Sequence, residues 1–275
     1  MKILIAADME GITGVLNWDH VDPTHSEYSR FRKIMTEDVN AAISGAFNGG
    51  ATEVLVADGH SHGTNIIIEN LDPRAKLNGS NTSPFAMMQG IDRTIDGVIF
   101  VGYHARMGSE NAICDHTWSS STVANLWLNN ILVGEYGLNG ALAGYFGVPV
   151  IMLTGDQTAC AQAKELLGPI ETAVVKVASG RYSAECLPPK ISFKLISDCA
   201  ERAVENLRSV NKPKPFILKS PVQVSVGFIN SHQADSATKL PGASRNSNRV
   251  SIEAVDMKTA YQAFRALVEL GQKQY

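Results

Sequence analysis

The stretch Lys2-Ile-Leu-Ile-Ala-Ala-Asp8 decides the fold, together with residues 28–48 and the run Glu53-Val-Leu-Val-Ala57. Residues 3–7 are apolar on both faces and few in number, which predicts a buried strand. Between 28 and 48, Phe31, Ile34, Met35, Val39, Ala42, Ile43 and Ala46 recur at helical spacing and can share one face. Gly49-Gly50 ends that helix, and residues 53–57 form a second strand. A right-handed strand–helix–strand crossover makes the two strands parallel.

Working outward, residues 98–101 and 149–153 read as further buried strands. Residues 122–128 and 131–133 read as a small hairpin around Asn129-Asn130. Residues 134–146 and 156–167 read as helices, with Asp156 where a carboxylate suits the helix dipole. A β-branched strand follows at 172–177. Pro188-Pro189 then opens an amphipathic helix to about Arg208, and Lys212-Pro-Lys-Pro is a turn or short linker. Strands at 222–229 and 249–255 and a closing helix at 257–270 complete the chain. The expected fold class is α/β: a mostly parallel central sheet flanked by helices, with a smaller α+β C-terminal part. The expected division is 1–183 for a metal-binding α/β domain and 184–275 for the smaller domain.

Bulk composition narrows the function classes. The chain has 275 residues and a formal net charge of −3, and its Lys and Arg are scattered, so no nucleic-acid footprint is expected. No stretch is long enough to cross a bilayer, and the first apolar run is too short for a signal peptide, so no membrane partner is expected. The four cysteines, Cys114, Cys160, Cys186 and Cys199, form no C-x-x-C pair and read as reduced thiols. Zinc held by cysteine is not expected, and the expected location is the cytoplasm.

The chemistry is signalled by position. Ligands of open α/β sheets bind beyond the carboxyl ends of strands. Here the first strand runs into Asp8-Met-Glu10-Gly, the second into Asp58-Gly-His60-Ser-His62, the third into Gly102-Tyr-His104-Ala-Arg106, and the hairpin's return strand into Gly134-Glu135. Taken singly, each has a bland reading: a cap, a polar turn, a core histidine, an acid in a first helical turn. Of seven histidines in the chain, three fall at two of these ends.

If Asp8, Glu10, His60, His104 and Glu135 converge, three carboxylates and two imidazoles exceed the needs of a single catalytic zinc. They suit two divalent ions sharing a carboxylate. Such a site activates water near neutral pH and polarises a carbonyl oxygen. Imidazole favours zinc over magnesium or calcium, with manganese and cobalt as alternatives. His116, beside Asp115, is a candidate proton carrier, with His62 its weaker competitor. Asp115 or the acids near the metals can hold a substrate amine.

These motifs resemble the D-aminopeptidase family of dinuclear zinc peptidases. The resemblance is carried by Asp8-Met-Glu-Gly-Ile12, Met35-Thr-Glu37, Glu53-Val-Leu-Val56, His60-Ser61 and Gly102-Tyr-His-Ala-Arg106. It continues through His116, Val133-Gly-Glu135, Gly137-Leu-Asn139, Gly155-Asp156, Pro241-Gly242 and Ala260-Tyr-Gln-Ala263, in order over nearly the whole chain. It implies two zinc ions per subunit on Asp8, Glu10, His60, His104 and Glu135, with Asp8 bridging and His116 catalytic. It implies a short peptide substrate hydrolysed from its free N terminus, and a homo-oligomer in the form of a decameric ring. Residue 116 is described in such enzymes as a nucleophile. A metal-activated hydroxide with His116 carrying protons explains the same residue. Two positions depart from the family pattern: Ala6 replaces a serine, and the neighbours of His116 differ. The rival on the same fold is a two-metal amidase or phosphoesterase, for which Arg106 is the nearby cation. A binding protein without stoichiometric metal is the non-enzymatic alternative.

Overall fold

Successive residues of a strand face opposite sides of a sheet, and the N-terminal apolar run uses both. It forms β1 (Lys2–Ala7). Its Ile3, Ile5 and Ala7 share one core with Phe31, Met35, Ile43, Ile196 and Val204. Its Leu4 and Ala6 enter a second core with Leu126, Leu138, Val226 and Phe264. Each of these five strand side chains is fully buried, a burial that stabilises by roughly 1.5–3 kcal/mol for a residue of Ile or Leu size.

The computed structural model describes residues 1–80 and 82–272. The remaining strands are β2 (Glu53–Asp58), β3 (Ala75–Asn78), β4 (Gly97–Val101), β5 (Val123–Leu128), β6 (Ile131–Val133), β7 (Val150–Asp156), β8 (Glu171–Gly180), β9 (Ser183–Cys186), β10 (Val222–Phe228), β11 (Ser244–Asn246) and β12 (Arg249–Ala254). The helices are α1 (Tyr28–Asn48), α2 (Glu135–Tyr145), α3 (Gln157–Leu167), α4 (Pro189–Asn206), α5 (Ser231–Ala237) and α6 (Met257–Gln272).

A seven-stranded sheet has the order β3-β2-β1-β4-β7-β8-β9 and a five-stranded one the order β11-β12-β10-β5-β6. The larger sheet is parallel from β3 through β8 and closes with an antiparallel β9. The smaller sheet is antiparallel throughout. The fold is therefore α/β, with the mostly parallel sheet expected from the strand–helix–strand unit. Helices α1 and α4 pack face to face where Gly45 meets α4, and a Cβ at Gly45 would lie 2.1 Å from the Ser197 carbonyl oxygen. Among the described residues, no helix is long and apolar enough to cross a membrane.

The expected division at 183/184 is crossed in both directions. Strand β5 precedes it yet pairs with β10, whereas α4 follows it yet packs on α1. The hairpin itself matches expectation. Asn129 and Asn130 both take positive φ, +47° and +65°, the twist a two-residue hairpin turn requires. The carboxylate of Asp156 caps α3 by accepting from Ala159 N at 2.8 Å. Short β3, β9 and β11 and the seven-residue α5 carry too little periodic signal to be read in advance.

Candidate metal centre

The chain goes from β1 out to β3 on one side, then returns to β4 on the other side of β1. That reversal opens the crevice where open α/β sheets bind ligands. Two loops meet there backbone to backbone. Asp8 N donates to Val101 O and Gly11 N to Gly102 O, each at 2.8 Å. Gly102 has φ +74°, and a Cβ on it would sit 2.3 Å from the Asp8 carbonyl oxygen. Only glycine allows that conformation and that approach, and the contact brings Asp8 and His104 together.

The structure brings all five expected ligand residues and His116 into one cluster. His60 Nδ1 lies 3.4 Å from Asp8 Oδ1 and 3.2 Å from Glu10 Oε2. His104 Nε2 lies 3.3 Å from Asp8 Oδ2 and 3.1 Å from Glu135 Oε1. His116 Nε2 lies 3.9 Å from Glu10 Oε1 and 3.8 Å from Glu135 Oε1. The rings of His104 and His116 stack with centroids 3.9 Å apart, and Trp18 meets His116 edge-on at 5.2 Å. Among the described residues, two groups have ligand atoms mutually within 4.8 Å: Asp8–Glu10–His104 and His104–His116–Glu135.

Each imidazole is oriented by a backbone carbonyl. His60 Nε2 is 2.9 Å from Val21 O, His104 Nδ1 3.0 Å from Ala105 O and His116 Nδ1 2.9 Å from Cys114 O. A carbonyl only accepts, so each of these nitrogens carries the hydrogen and the other nitrogen faces the acids. In a neutral ring that inward nitrogen is a lone pair aimed at carboxylates, an arrangement that calls for a cation between them. Asp8 Oδ2, Glu10 Oε2 and His104 Nε2 are buried and make no hydrogen bond among the described residues, which is rare for buried polar atoms and marks a place for an ion. The donor set of oxygens and imidazole nitrogens fits zinc and its neighbours in the first transition row.

The electrostatics agree. Burial pushes the Asp8 carboxyl up, but the adjoining imidazoles of His104 and His60 outweigh it and hold it well below the usual range. Burial presses His60 and His104 down, yet their acidic neighbours raise both well above an ordinary histidine. The acids thus set up a field that favours positive charge between them. His116 goes the other way, lowered first by burial and then by the charge of His104.

Neighbouring side chains fix the loops. Buried Lys176 donates to the carbonyls of Glu10, Ile12 and Val15 at 2.6, 2.9 and 2.7 Å. On the other flank Asp38 accepts from Thr13 N at 2.9 Å and Thr13 Oγ1 at 3.0 Å. Asp58 is a loop organiser: it accepts from Asn65 N, Asn65 Nδ2 and Ile66 N at 2.6, 2.6 and 2.8 Å. The His116 loop is tied to α3 through Ile113 N and Asp156 Oδ2 at 2.8 Å. Cys114 and Trp118, on either side of His116, adopt φ +48° and +64°, strain of the kind that collects at functional sites.

A cavity of about 460 Å³ opens onto the cluster and reaches Asp8, Glu10, His60, His116 and Glu135, a size suited to small ligands. His62 lies on its wall. Asp115 does not: Arg181 Nε at 2.9 Å and Gly108 N at 2.6 Å take its carboxylate. The expectation that Asp115 can hold a substrate amine is corrected accordingly. Arg106 is likewise absent from the wall, where Arg265 of α6 stands instead. Sequence reading missed Arg265. Its signal was the spacing of Arg265, Val268, Glu269 and Gln272, which puts a partly polar stripe on the amphipathic closing helix.

The D-aminopeptidase family model matches residues 1–266 of the chain. This chain belongs to the D-aminopeptidase family. Within that family it is similar to the D-aminopeptidase of Bacillus subtilis (strain 168), with 38% identity over 275 residues covering 99% of this chain and 98% of that protein. It is also similar to a solved structure, the Zn-dependent D-aminopeptidase DppA from Bacillus subtilis, a self-compartmentalizing protease. The TM-score is 0.96 at 38% identity, with 100% of this chain and 99% of that one covered. D-aminopeptidase family membership extends across both sheets and most of α6, so it takes in every strand end that carries the cluster.

Proposed function

We propose that this chain is a zinc-dependent aminopeptidase that cleaves short peptides from a free N terminus, with a preference for D-residues. The carrying observation is that acids and imidazoles from separate strand ends converge with buried oxygens and a nitrogen left without hydrogen bonds. Family membership and the activity named for the Bacillus subtilis relatives point the same way. They favour peptides over phosphate esters, and Arg106, the cation that a phosphoesterase would have used, lies away from the cavity.

Two zinc ions are assigned. Asp8, Glu10 and His60 would hold one, and Asp8, His104 and Glu135 the other. The pairing is supported by the way the two oxygens of Asp8 address different histidines. Bound there, zinc supplies Lewis acidity to the scissile carbonyl and lowers the pKa of water. The protein's own residues do the rest. The Nδ1–H of His116 is fixed on Cys114 O, so Nε2 is the atom that takes up and returns a proton to the leaving amine. The stack on His104 and the edge of Trp18 hold that ring at the mouth of the site.

The chain is further proposed to be cytoplasmic, in keeping with four unpaired cysteines. It is also proposed to form a homo-oligomer, a decameric ring, as the self-compartmentalizing relative suggests; sedimentation gives that mass directly. The decisive test is His116→Ala. Bound zinc, measured by elemental analysis, is expected to stay at two per chain while hydrolysis of D-alanyl peptides falls by roughly 10²–10⁴-fold. Retained turnover would remove His116 from the mechanism. A zinc-loaded enzyme faster on L-alanyl than on D-alanyl peptides would overturn the stereochemical preference.

A further inference from the structure

One face of α6 forms part of the cavity wall: Arg265, Val268, Glu269 and Gln272, spaced for a single helical stripe. Among the described residues, Arg265 is the one Lys or Arg lining this cavity, which also carries the carboxylates of Asp8, Glu10, Glu135 and Glu269. The guanidinium is set in place by Nη1 donating to the carbonyl of Ser83. A peptide cut at its N-terminal residue lies with its amine and scissile bond over the acid–imidazole cluster, and the leaving part runs on from there. In a dipeptide or tripeptide that part ends, within about 4–7 Å, in a carboxylate. With Asp8, Glu10 and Glu135 engaged by zinc, Glu269 is the acid left on the described wall and Arg265 the cation with which that carboxylate can pair.

We propose that Arg265 is a specificity-determining residue that binds the C-terminal carboxylate of short peptide substrates, so that the enzyme selects free di- and tripeptides over longer or blocked chains. This rests on the aminopeptidase reading above. A guanidinium offers paired N–H donors to a carboxylate, a geometry that lysine lacks. Glu269, one turn further along the same stripe, repels a carboxylate placed deeper on the helix and so steers it to Arg265.

The test compares D-alanyl-D-alanine with its C-terminal amide in zinc-loaded wild type and Arg265→Gln. Wild type is expected to show the lower KM for the free acid. Arg265→Gln is expected to raise that KM about 10- to 100-fold, the loss of a charge-assisted hydrogen bond. The kcat stays within about twofold and the KM for the amide barely moves, as for an interaction made equally in ground and transition states. Arg265→Lys is expected to fall between the two, and it serves as the readout if the glutamine variant does not fold. Equal changes on acid and amide, or no change on either, overturn the subsite while leaving the peptidase intact. If the wild type cleaves neither peptide, the aminopeptidase reading falls and the subsite falls with it.

Discussion

Two buried clusters of charge flank the same loop, residues 8–16, and they differ in one respect. On one side Lys176 spends its three N–H groups on three carbonyls, and Asp38 receives the amide and hydroxyl of Thr13. That side is complete as it stands. On the other side Asp8, Glu10 and His104 each keep a buried polar atom without a hydrogen bond. Leaving such groups unpaired costs about 1–3 kcal/mol each, so a folded chain tolerates them where something binds. The contrast separates scaffold from site: a satisfied cluster holds the loop still, and an unsatisfied one is what the loop is held for.

Stripping metal should break this comparison most severely. Dialysis against a strong chelator is expected to abolish peptide hydrolysis and to lower stability by about 4 kcal/mol relative to protein at a thousand times its zinc Kd. Added zinc should restore both, and calorimetric melting with and without zinc gives the difference. Unchanged melting after verified zinc loss would mean that the unsatisfied cluster does not bind it.

Lys176→Met attacks the complete cluster. It leaves three buried carbonyls without a donor, and a loss of roughly 3 kcal/mol or more is expected in urea unfolding. Because the Glu10 carbonyl is one of the three, zinc affinity should fall as well. A fold that melts like wild type but binds zinc normally would show that the lysine holds nothing.

Asp38 gives an effect that depends on pH. Burial is the main cause that raises its carboxyl from 3.8 to about 7, against the lowering hydrogen bonds from Thr13. Folded protein therefore retains a proton that unfolded chain releases near pH 4, and Asp38's contribution to stability is lost as pH climbs from about 4 to about 7. The slope approaches 1.4 kcal/mol per pH unit at most. Asp38→Asn keeps an acceptor for Thr13 N and cannot ionise, so its stability relative to wild type should rise between pH 5 and 7.5. Denaturant midpoints at a few pH values measure it. A constant offset would show that Asp38 does not titrate in that window.

The residues that announce the site in the sequence are those that end strands. Asp8, His60 and His104 follow apolar runs whose period is visible, and in a parallel sheet the carboxyl ends of such runs share an edge; Glu135 follows the return strand of the hairpin in the other, antiparallel sheet. What supports the site was not legible. Lys176 reaches carbonyls 161 to 166 residues away in the chain, and that reach depends on β7 and β8 lying beyond β4 in the sheet. Arg265 depends on α6 folding back over the cavity. The β5–β6 hairpin was legible, but its place in the second sheet was set by pairing with β10, nearly a hundred residues on. Strand β3, Ala-Lys-Leu-Asn, has little β-branched character and is strand because β2 offers it an edge.

The parallel stack of His104 and His116, 3.9 Å between ring centres, has a spectroscopic consequence. Each imidazole sits in the shielding cone of the other, so their carbon-bound protons should resonate upfield of those of the exposed His62. Any ion that engages His104 then reports itself on His116 as a chemical-shift change, without touching the reacting ring. Nuclear magnetic resonance of the histidines can therefore count filled sites in the resting protein before any peptide is added.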